Sequence, residues 1–358
     1  MNAKKDESVD ENRLLSGTPQ DEEEKEEVTL RPQVFGDIIG RKDECEAIRI
    51  LIDAAKQRKE AVDHILFHGP PGLGKTTFAH VVANEMSSQI RVTSGPAIER
   101  QGDLAAILTN LQPNDVLFID EIHRLKRGIE EILYPAMEDF MLDFIVGKGP
   151  SARSVRLKLA HFTLIGATTK IGSISSPLRD RFGFVQRLDY FDDSDISDLI
   201  IRAAGILSLS IDKSGAAEIA RRSRGTARVA QRMLKRVRDY SQVVGSNGTI
   251  DKNMASNALD KLGVDEIGLD DLDRKILRAI IEKYSGGPVG LSTIAAAVSE
   301  ELETIADVYE PFLMQKGLIK RTSRGRVATE LAYTHLGLEE EWKGSEEQDK
   351  SKGQQSLI

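Results

Sequence analysis

The sequence predicts an α/β protein whose N-terminal half is built on a parallel β-sheet and whose C-terminal half is helical and ends in a β-hairpin. Three observations predict this. An apolar strand, a glycine-rich loop and a helix follow one another at residues 65–86. A second apolar run at 116–119 ends in two acidic residues. From about residue 190 the apolar residues recur with helical spacing, until two short apolar pairs flank a turn near residue 324.

The glycine-rich loop, GPPGLGKT at 69–76, follows a short apolar strand at 65–68. The helix after it has an apolar face made of Phe78, Val81, Val82 and Met86. Glycines allow backbone N–H groups to approach phosphate oxygens, and a helix N terminus adds partial positive charge. Lys75 supplies a point charge to the β- and γ-phosphates, and the Thr76 hydroxyl can bind magnesium. The segment therefore predicts a P-loop that binds a nucleoside triphosphate.

The run DVLFIDE at 115–121 places two carboxylates at the end of an apolar strand. Open α/β sheets bind ligands at the carboxyl ends of their strands, so we expect this strand to neighbour the P-loop strand. Asp120 would orient magnesium through its water shell, and Glu121 would polarise the attacking water as a general base. Together the two segments predict an ATPase.

Three further segments complete the predicted ATPase domain. Residues 91–96 are predicted to form a middle strand, and the apolar run at 162–169 ends in hydroxyl side chains that could hold the lytic water or sense the γ-phosphate. The segment SPLRDRFG at 176–183 presents Arg179 and Arg181 on a short turn that starts with proline. An exposed arginine held in this way suits a finger that reaches the γ-phosphate of a neighbouring subunit.

The segment after residue 190 predicts helices at 195–204, 214–224 and 227–243. In the third helix the apolar stripe consists of Ala230, Met233, Leu234 and Val237. The basic runs at 221–228 and 235–239 are interpreted mainly as solvated helix faces. Arg228 is the exception, because it opens a helix after a Gly-Thr turn and could point back across the nucleotide.

The last folded segment predicts a winged-helix domain. Helices are expected at 271–283, from residue 292 and at about 301–316, followed by a hairpin whose turn lies at 323–325. The tip of this wing carries four cations, Lys320, Arg321, Arg324 and Arg326. We expect them to contact the phosphate backbone of a nucleic acid.

Charge is unevenly distributed along the 358 residues. Residues 1–27 carry ten acids and four bases, and residues 338–358 carry six acids and three bases. Subtracting these net charges of −6 and −3 from the total of −8 leaves residues 28–337 at +1, so an anionic partner is not excluded. We expect both acidic tails to be disordered. The single cysteine and the absence of an apolar run of about 18 residues predict a cytoplasmic protein without a membrane span. The six histidines show no metal-ligand spacing and are interpreted as ordinary.

The chain resembles the RuvB family, the bacterial Holliday-junction branch-migration ATPases. The resemblance covers residues 28–337 and rests on the motifs at 30–40, 69–77, 115–125, 134–140, 166–169, 176–183, 221–228, 286–291 and 310–329. It implies an AAA+ P-loop ATPase domain with a parallel sheet, a small helical lid domain and a winged-helix domain. The implied boundaries are 28–189, 190–262 and 263–337, with tails at 1–27 and 338–358.

The resemblance also implies roles for individual residues. Leu30, Arg31 and Ile39 would line the adenine side of the nucleotide. The phosphates would be held by Gly72, Gly74, Lys75, Thr76 and Thr77, with Thr76 and Asp120 on Mg²⁺. Glu138, Asp139 and Phe140 match a segment tied to the nucleotide site, and Phe191 stands where a tyrosine is common. Thr169 matches the γ-phosphate sensor, with Thr168 the near alternative. Arg181 matches the finger, with Arg179 the near alternative, and Arg228 matches the second sensor. Arg321 and Arg326 would contact DNA.

Partners follow from the same resemblance. It implies a homohexamer around duplex DNA, two such rings flanking a RuvA tetramer on a four-way Holliday junction, and resolution of the junction by RuvC. The hairpin formed by 141–146 and 155–159 would dock RuvA. The alternative is a clamp-loader-like or initiator ATPase that uses ATP as an assembly switch on DNA. An initiator, however, would be expected to carry a long basic helix ahead of the lid, which is not evident here.

Overall fold

The computed structural model describes residues 29–146, 153–244, 248–340 and 342. The predicted N-terminal tail and most of the C-terminal tail therefore lie outside the described residues. The chain divides into two compact units. The first runs through Ile206 and also includes Gly225–Arg228, and the second consists of Leu207–Arg224 and the chain from Val229 onward.

The elements alternate in the first unit and are mainly helical in the second. The strands are β1 Ile65–His68, β2 Ile90–Ser94, β3 Val116–Asp120, β4 Met141–Val146, β5 Arg153–Lys158, β6 Thr163–Thr168, β7 Phe184–Arg187, β8 Ile319–Thr322 and β9 Gly325–Ala328. The α-helices of the first unit are α1 Lys42–Arg58, α2 Lys75–Glu85, α3 Gln101–Thr109, α4 Arg127–Glu138, α5 Ser176–Arg179 and α6 Asp193–Ile206. Those of the second are α7 Lys213–Arg222, α8 Ala227–Val243, α9 Lys252–Lys261, α10 Asp271–Arg278, α11 Leu291–Val298, α12 Leu302–Thr304, α13 Glu310–Gln315 and α14 Glu330–Leu336, with α8 beginning in the first unit.

The first unit is built on five parallel strands in the order β2-β3-β6-β1-β7. Successive residues of the central strands enter two different apolar clusters. Leu66 and Leu117 pack on one side, with residues of α3 and α4, and Phe67 and Phe118 pack on the other, with residues of α1 and α2. Because side chains alternate between the faces of a strand, a sheet covered on both sides requires uninterrupted apolar runs. The predicted parallel sheet is confirmed.

Two details of the predicted sheet are wrong. Strand β3 does not neighbour the P-loop strand β1, because β6 lies between them. Strand β2 lies at the edge of the sheet and not in the middle, and its Val92 is exposed. A sequence pattern identifies a strand and its burial, but the order of strands depends on crossover connections that it does not specify. The acids at the end of β3 nevertheless reach the same edge as the P-loop, since all five strands run in one direction.

Strands β4 and β5 form a separate antiparallel hairpin, in which Met141 pairs with Lys158 and Val146 with Arg153. This agrees with the expected hairpin. Its loop, residues 147–152, lies outside the described residues.

The three helices predicted after residue 190 are confirmed: the first is α6, at the end of the first unit, and the others are α7 and α8. The predicted stripe of Ala230, Met233, Leu234 and Val237 is fully buried. The interpretation of the basic runs as solvated faces is wrong for several residues. Arg222 donates to Glu218 and to the carbonyl oxygen of Val264. Arg224 is also buried, contacts the carboxylates of Asp270 and Asp273, and lies over the ring of Phe312 at 4.4 Å. Guanidinium groups can be buried when carboxylates and carbonyls satisfy them, and a composition-based expectation cannot detect those partners.

The winged-helix elements are present. The first helix continues α10 as a π-helical turn to Lys283, and the third consists of α12, a π-helical turn Ile305–Tyr309 and α13. These helices and the β8–β9 hairpin share one apolar cluster that includes Ile276, Phe312 and Ile319. An isolated antiparallel bridge between Val289 and Arg326 ties the segment ahead of α11 to the wing. Within the described part of the chain, no helix is long and apolar enough to cross a membrane.

Candidate functional site

The predicted nucleotide residues meet at the carboxyl edge of the parallel sheet. Strands β1, β3 and β6 end there at His68, Asp120 and Thr168. The P-loop follows the first, Glu121 the second and Thr169 the third. This edge is where open α/β sheets bind ligands, so the topology brings together groups that lie about 100 residues apart in the chain.

The loop between β1 and α2 depends on glycine at two positions. Gly69 has φ +138°, and a Cβ atom there would stand 2.1 Å from the carbonyl oxygen of Leu188. Gly74 precedes α2 in a left-handed conformation, with φ +95°. Both conformations strongly favour glycine. The predicted order of strand, glycine loop and helix is confirmed, and it leaves Thr76 and Thr77 half-buried in the first turn of α2.

Lys75 is 7% exposed and turns back onto the loop. Its Nζ donates to the carbonyl oxygens of Gly69 at 2.9 Å and Pro70 at 2.8 Å. The pKa of Lys75 is lowered to about 8: burial is the main cause and the positive charge of Arg228 adds to it, while the negative charges of Asp120 and Glu121 oppose the shift. The loop therefore holds a cation whose surroundings only partly compensate its charge, and a phosphate would complete that compensation.

Glu121 occupies a left-handed backbone conformation, with φ +47° and ψ +43°. Its N–H donates to Asp120 Oδ1 at 2.9 Å. One carboxylate oxygen, Oε2, lies 3.4 Å from Thr169 Oγ1 and 3.3 Å from His123 Nδ1. A non-glycine residue in this conformation is uncommon and often marks a functional position.

The two threonines at the end of β6 have different surroundings. Thr168 is fully buried, and its hydroxyl accepts from the N–H of Lys170 and lies 2.9 Å from His123 Nδ1. Thr169 is half-buried and donates toward Glu121. Only Thr169 therefore combines partial exposure with contact to the predicted base, which favours it over Thr168 as a group that meets a nucleotide.

Arg228 lies beside the P-loop. Its N–H approaches the carbonyl oxygen of Gly72 at 3.4 Å, and a Cβ atom added to Gly72 would stand 3.2 Å from that of Arg228. Gly72 has φ +77°, so it favours glycine for conformation as well as for space. The predicted placement of Arg228 near the nucleotide loop agrees with this contact.

Two of the segments predicted on the adenine side contact helix α6. The carbonyl oxygen of Leu30 accepts from Arg202 at 3.0 Å, and the segment after Ile39 packs closely on Asp195. Arg31 is half-buried, and its charge adds to burial in lowering the pKa of His80. Phe191, just before α6, donates its backbone N–H to the carbonyl oxygen of Gly225 at 2.9 Å, three residues from Arg228.

Arg181 and the segment Glu138–Phe140 lie together, but at the other end of β1. Arg181 Nη2 donates to Glu138 Oε2 at 3.1 Å, and Nη1 donates to the carbonyl oxygen of Pro177 at 2.6 Å. The guanidinium lies 4.5 Å from the ring centre of Tyr134. Arg179, by contrast, makes a loose contact of 3.8 Å with Asp180.

A cavity of about 450 Å³ adjoins Arg181 and is lined by Asp63, His64, Phe140 and His161 among other residues. The rings of Phe140 and His161 are tilted against each other, with 4.0 Å between their centres. Since His64 precedes β1 and the P-loop follows it, this face is opposite the phosphate loop of the same chain. Glu138, Asp139 and Phe140 are thus grouped with Arg181 and not with the P-loop, which sequence matching alone did not reveal.

The donor set at the carboxyl edge fits Mg²⁺. Magnesium prefers oxygen ligands and usually keeps waters and substrate phosphates in its shell, with one or two protein ligands. Thr76 and Asp120 supply a hydroxyl and a carboxylate at that edge. Among the described residues, no cluster of three or more His, Cys, Asp or Glu side chains could hold a metal without such help.

The wing presents its cations unequally. Lys320, Arg321 and Arg324 are exposed, whereas the Arg326 side chain is only 14% exposed and is paired with Glu310. The turn is closed by Arg324 N–H, which donates to Thr322 Oγ1 at 3.3 Å.

Sequence reasoning missed two groups near the nucleotide edge. His123, interpreted as ordinary, contacts both Glu121 and Thr168. Arg41 is buried and lies 4.1 Å from the ring centre of Phe191. The position of His123 in DEIH could have indicated this contact. It stands two residues after Glu121, and the short 3₁₀ helix Ile122–Arg124 brings its ring close to the Glu121 carboxylate. Arg41 had no comparable signal.

Comparisons with known proteins agree with this architecture. Family models for the Holliday junction DNA helicase RuvB P-loop domain, the RuvB AAA lid domain and the RuvB C-terminal winged-helix domain match residues 30–188, 191–265 and 266–337. The Holliday junction branch migration complex subunit RuvB of Dehalococcoides mccartyi is 59% identical over 331 residues, which is 92% of this chain and 95% of the relative. That of Chloroflexus aggregans is 59% identical over 326 residues, or 91% and 93%.

A solved structure, the Thermotoga maritima RuvB Holliday junction branch migration motor, superimposes with a TM-score of 0.78 at 47% identity. The match covers 86% of this chain and 98% of that one. With P-loop, lid and winged-helix domains in the same order and relatives matched over nearly their whole length, the chain belongs to the RuvB family.

Proposed function

We propose that this chain is an ATP-driven motor that moves duplex DNA and thereby drives branch migration of Holliday junctions in homologous recombination and repair. Family membership supports this function, and so does the combination of a P-loop edge and a cationic wing in one chain. The clamp-loader-like alternative also requires ATP and DNA, but the relatives are named for branch migration.

The observation that carries the proposal is the convergence of Lys75, Asp120, Glu121 and Thr169 at one edge of the sheet. Lys75 and the loop N–H groups bind the phosphates of ATP. Glu121 accepts a proton from the attacking water. Thr169, whose hydroxyl lies 3.4 Å from Glu121 Oε2, holds that water or senses the γ-phosphate. Arg228 contacts the loop at Gly72 and so reports its occupancy.

Mg²⁺ would be held by Thr76 directly and by Asp120 through water, and when bound it neutralises charge on the β- and γ-phosphates. Leu30, Arg31, Ile39 and Phe191 enclose the base side of the nucleotide. Gly72, Gly74 and Thr77 shape the phosphate loop around Lys75.

Arg181 acts in trans in this proposal. It lies at the end of β1 opposite the P-loop, together with Glu138 and Phe140, so it meets a nucleotide only when a second copy presents one. A homohexameric ring provides that arrangement at every interface. An arginine supplied in this way stabilises transition-state charge and is worth roughly 10³–10⁵ in rate in related enzymes.

The wider assembly completes the proposal. The ring encloses duplex DNA and grips it with the wing, the β4–β5 hairpin docks a RuvA tetramer, and RuvC resolves the junction. The helicase activity, the cytoplasmic location and the domain boundaries 28–189, 190–262 and 263–337 belong to the same proposal.

Glu121→Gln tests the hydrolytic site. The substitution keeps the shape and the phosphate ligands but removes the base, so ATP binding should persist while turnover falls by about 10²–10⁴. Lys75→Ala should instead weaken ATP binding in a direct titration. Movement of a synthetic four-way junction, measured on gels with RuvA present, should stop in both variants. Turnover of Glu121→Gln within a few-fold of the wild type would overturn the assignment of the base.

A further inference from the structure

His123 lies between two groups at the carboxyl edge. Its Nδ1 atom is 2.9 Å from Thr168 Oγ1 and 3.3 Å from Glu121 Oε2. The His123 side chain is 9% exposed, whereas that of Glu121 is 35% exposed. A nearly buried imidazole thus links a fully buried hydroxyl at the end of β6 to the partly exposed carboxylate of the proposed base.

The backbone around this contact is fixed independently. Glu121 begins a 3₁₀ helix, Ile122–Arg124, and its carbonyl oxygen accepts from Arg124 N–H at 2.9 Å. Gly95 N–H donates to the carbonyl oxygen of Asp120 at 2.7 Å. A Cβ atom on Gly95 would stand 2.4 Å from the carbonyl oxygen of Glu121, so the two segments are closely packed. With the main chain held on two sides, the direction of the Glu121 carboxylate depends on its side-chain neighbours.

The hydrogen-bonding capacity of the three groups determines which tautomer of His123 fits. An ionised carboxylate only accepts hydrogen bonds, so Nδ1 stabilises Glu121 only if it carries the proton. Thr168 Oγ1 already accepts from Lys170 N–H at 2.9 Å and has lone-pair capacity for a second donor. A protonated Nδ1 can share its single proton between Thr168 Oγ1 at 2.9 Å and Glu121 Oε2 at 3.3 Å, whereas the other tautomer would direct a lone pair at the carboxylate.

We propose that His123 is a positioning residue for ATP hydrolysis, which aims the Glu121 carboxylate by donating from Nδ1 to Oε2 and which Thr168 anchors to the end of β6. This inference rests on the proposed function, because it assumes that Glu121 is the general base. In this proposal His123 takes no proton from the attacking water and acts only by orienting the Glu121 carboxylate. Misplacement of a catalytic group by about 1 Å can cost roughly 100-fold in rate, which sets the size of effect to expect.

Three substitutions at one position separate positioning from packing. Asn carries an amide nitrogen at the same number of bonds from Cβ as Nδ1, Gln carries it one bond further, and Phe keeps a ring without a donor. We expect His123→Phe to lower kcat for ATP about 10- to 100-fold while the KM and the Kd of an ATP analogue change by less than about threefold. His123→Asn should recover most of kcat, and His123→Gln should not.

Thr168→Val should lower kcat less than His123→Phe, and the double variant should be no worse than His123→Phe alone, because the hydroxyl acts through the imidazole.

Thermal unfolding and analogue binding, measured on every variant, identify any loss of fold, and the Asn–Gln comparison carries the test if the Phe variant does not fold. His123→Asn as inactive as His123→Phe, or His123→Phe within threefold of the wild type, would overturn the inference. Glu121→Gln in the same assay distinguishes the two failures. If Glu121→Gln is inactive and His123→Phe is active, only the inference fails, whereas an active Glu121→Gln removes the proposed base itself.

Discussion

Glu310 and Arg326 form a two-point ion pair inside the winged-helix domain. Arg326 Nε donates to Glu310 Oε1 at 2.7 Å, and Nη2 donates to Oε2 at 3.0 Å. Arg326 also stands directly opposite Arg321 across the β8–β9 hairpin. Like charges at such positions repel, and Glu310 compensates one of them. The pair does not use Nη1, so Glu310 can orient Arg326 while leaving that nitrogen for a phosphate.

The wing should bind DNA without reading its sequence. Arg321→Ala and Arg324→Ala should each lower the slope of log affinity against log salt concentration by about 0.9, equally on duplexes of different composition. Basal ATP turnover should not change, since the phosphate loop lies in the other unit. Salt titrations on two unrelated duplexes check this. Unchanged slopes would show that these residues release no counterions, and a loss confined to one duplex would favour a base-reading initiator.

Arg326 should differ from the two exposed arginines in its effect on stability. Arg326→Ala leaves the buried Glu310 carboxylate without its partner, which should cost about 1–3 kcal/mol of unfolding free energy. Arg321→Ala is the matched control and should cost almost none. Adding Glu310→Ala to Arg326→Ala should restore part of the stability, and a strictly additive double variant would contradict the pairing.

ATP affinity should fall as pH rises above about 8. Burial lowers the pKa of Lys75 to about 8, so below that pH the side chain is already charged before nucleotide arrives. Above it the free protein holds neutral Lys75, and a bound phosphate, which favours the ammonium, must draw in a proton. The Kd of a non-hydrolysable ATP analogue should therefore rise by up to about tenfold per pH unit between pH 8 and the ordinary lysine range.

Lys75→Arg is the control for this pH dependence. A guanidinium stays charged throughout the range. The Kd of the ATP analogue for this variant should therefore be higher than for the wild type but should not change with pH. Calorimetry in two buffers of different ionisation enthalpy should show proton uptake at pH 9 for the wild type only. Equal uptake by both proteins would assign the proton to another group.

Arg181 should complement a defective P-loop in mixed rings. Arg181→Ala and Lys75→Ala proteins should each be inactive, and mixing them should restore some ATP turnover, because some interfaces then hold an intact loop and an intact finger. Arg179→Ala serves as the neighbouring control and should stay active by itself. Size-exclusion chromatography with light scattering must show that the single variants still assemble.

A further variant tests how Arg181 is held. Glu138→Gln weakens its 3.1 Å contact without removing the finger and should lower turnover less than Arg181→Ala. The mixing experiment has one contradicting outcome. If adding Lys75→Ala protein to assembled Arg181→Ala rings never raises ATP turnover, then Arg181 does not act by itself as the finger at a single interface.

The parts of the fold that the sequence predicted are those determined by local pattern. Strand β1, the P-loop and helix α8 were predicted almost to the residue, because burial, glycine spacing and helical periodicity act over a few positions. The position of β2 at the sheet edge was not predicted, since strand order depends on how the crossover connections place each strand in the sheet.

The candidate site divides in the same way. Lys75, Glu121 and Thr169 follow strand ends, so a linear pattern finds them. The pairing of Arg326 with Glu310 joins residues 16 positions apart on a hairpin and a helix, and the burial of Arg224 depends on acids more than 40 positions away. Long-range pairing decides whether a cation is solvated or buried, and composition does not identify the partners.

The left-handed backbone at Glu121 implies a trade-off between folding and chemistry. Glycine relieves such a conformation by about 1 kcal/mol, so Glu121→Gly should raise the melting temperature while it abolishes turnover. Selection for stability alone would then remove the carboxylate, and a screen of this chain for heat-resistant variants should recover inactive proteins altered at position 121. In that sense the protein keeps the carboxylate of its proposed general base at a position where its own folding would favour another residue.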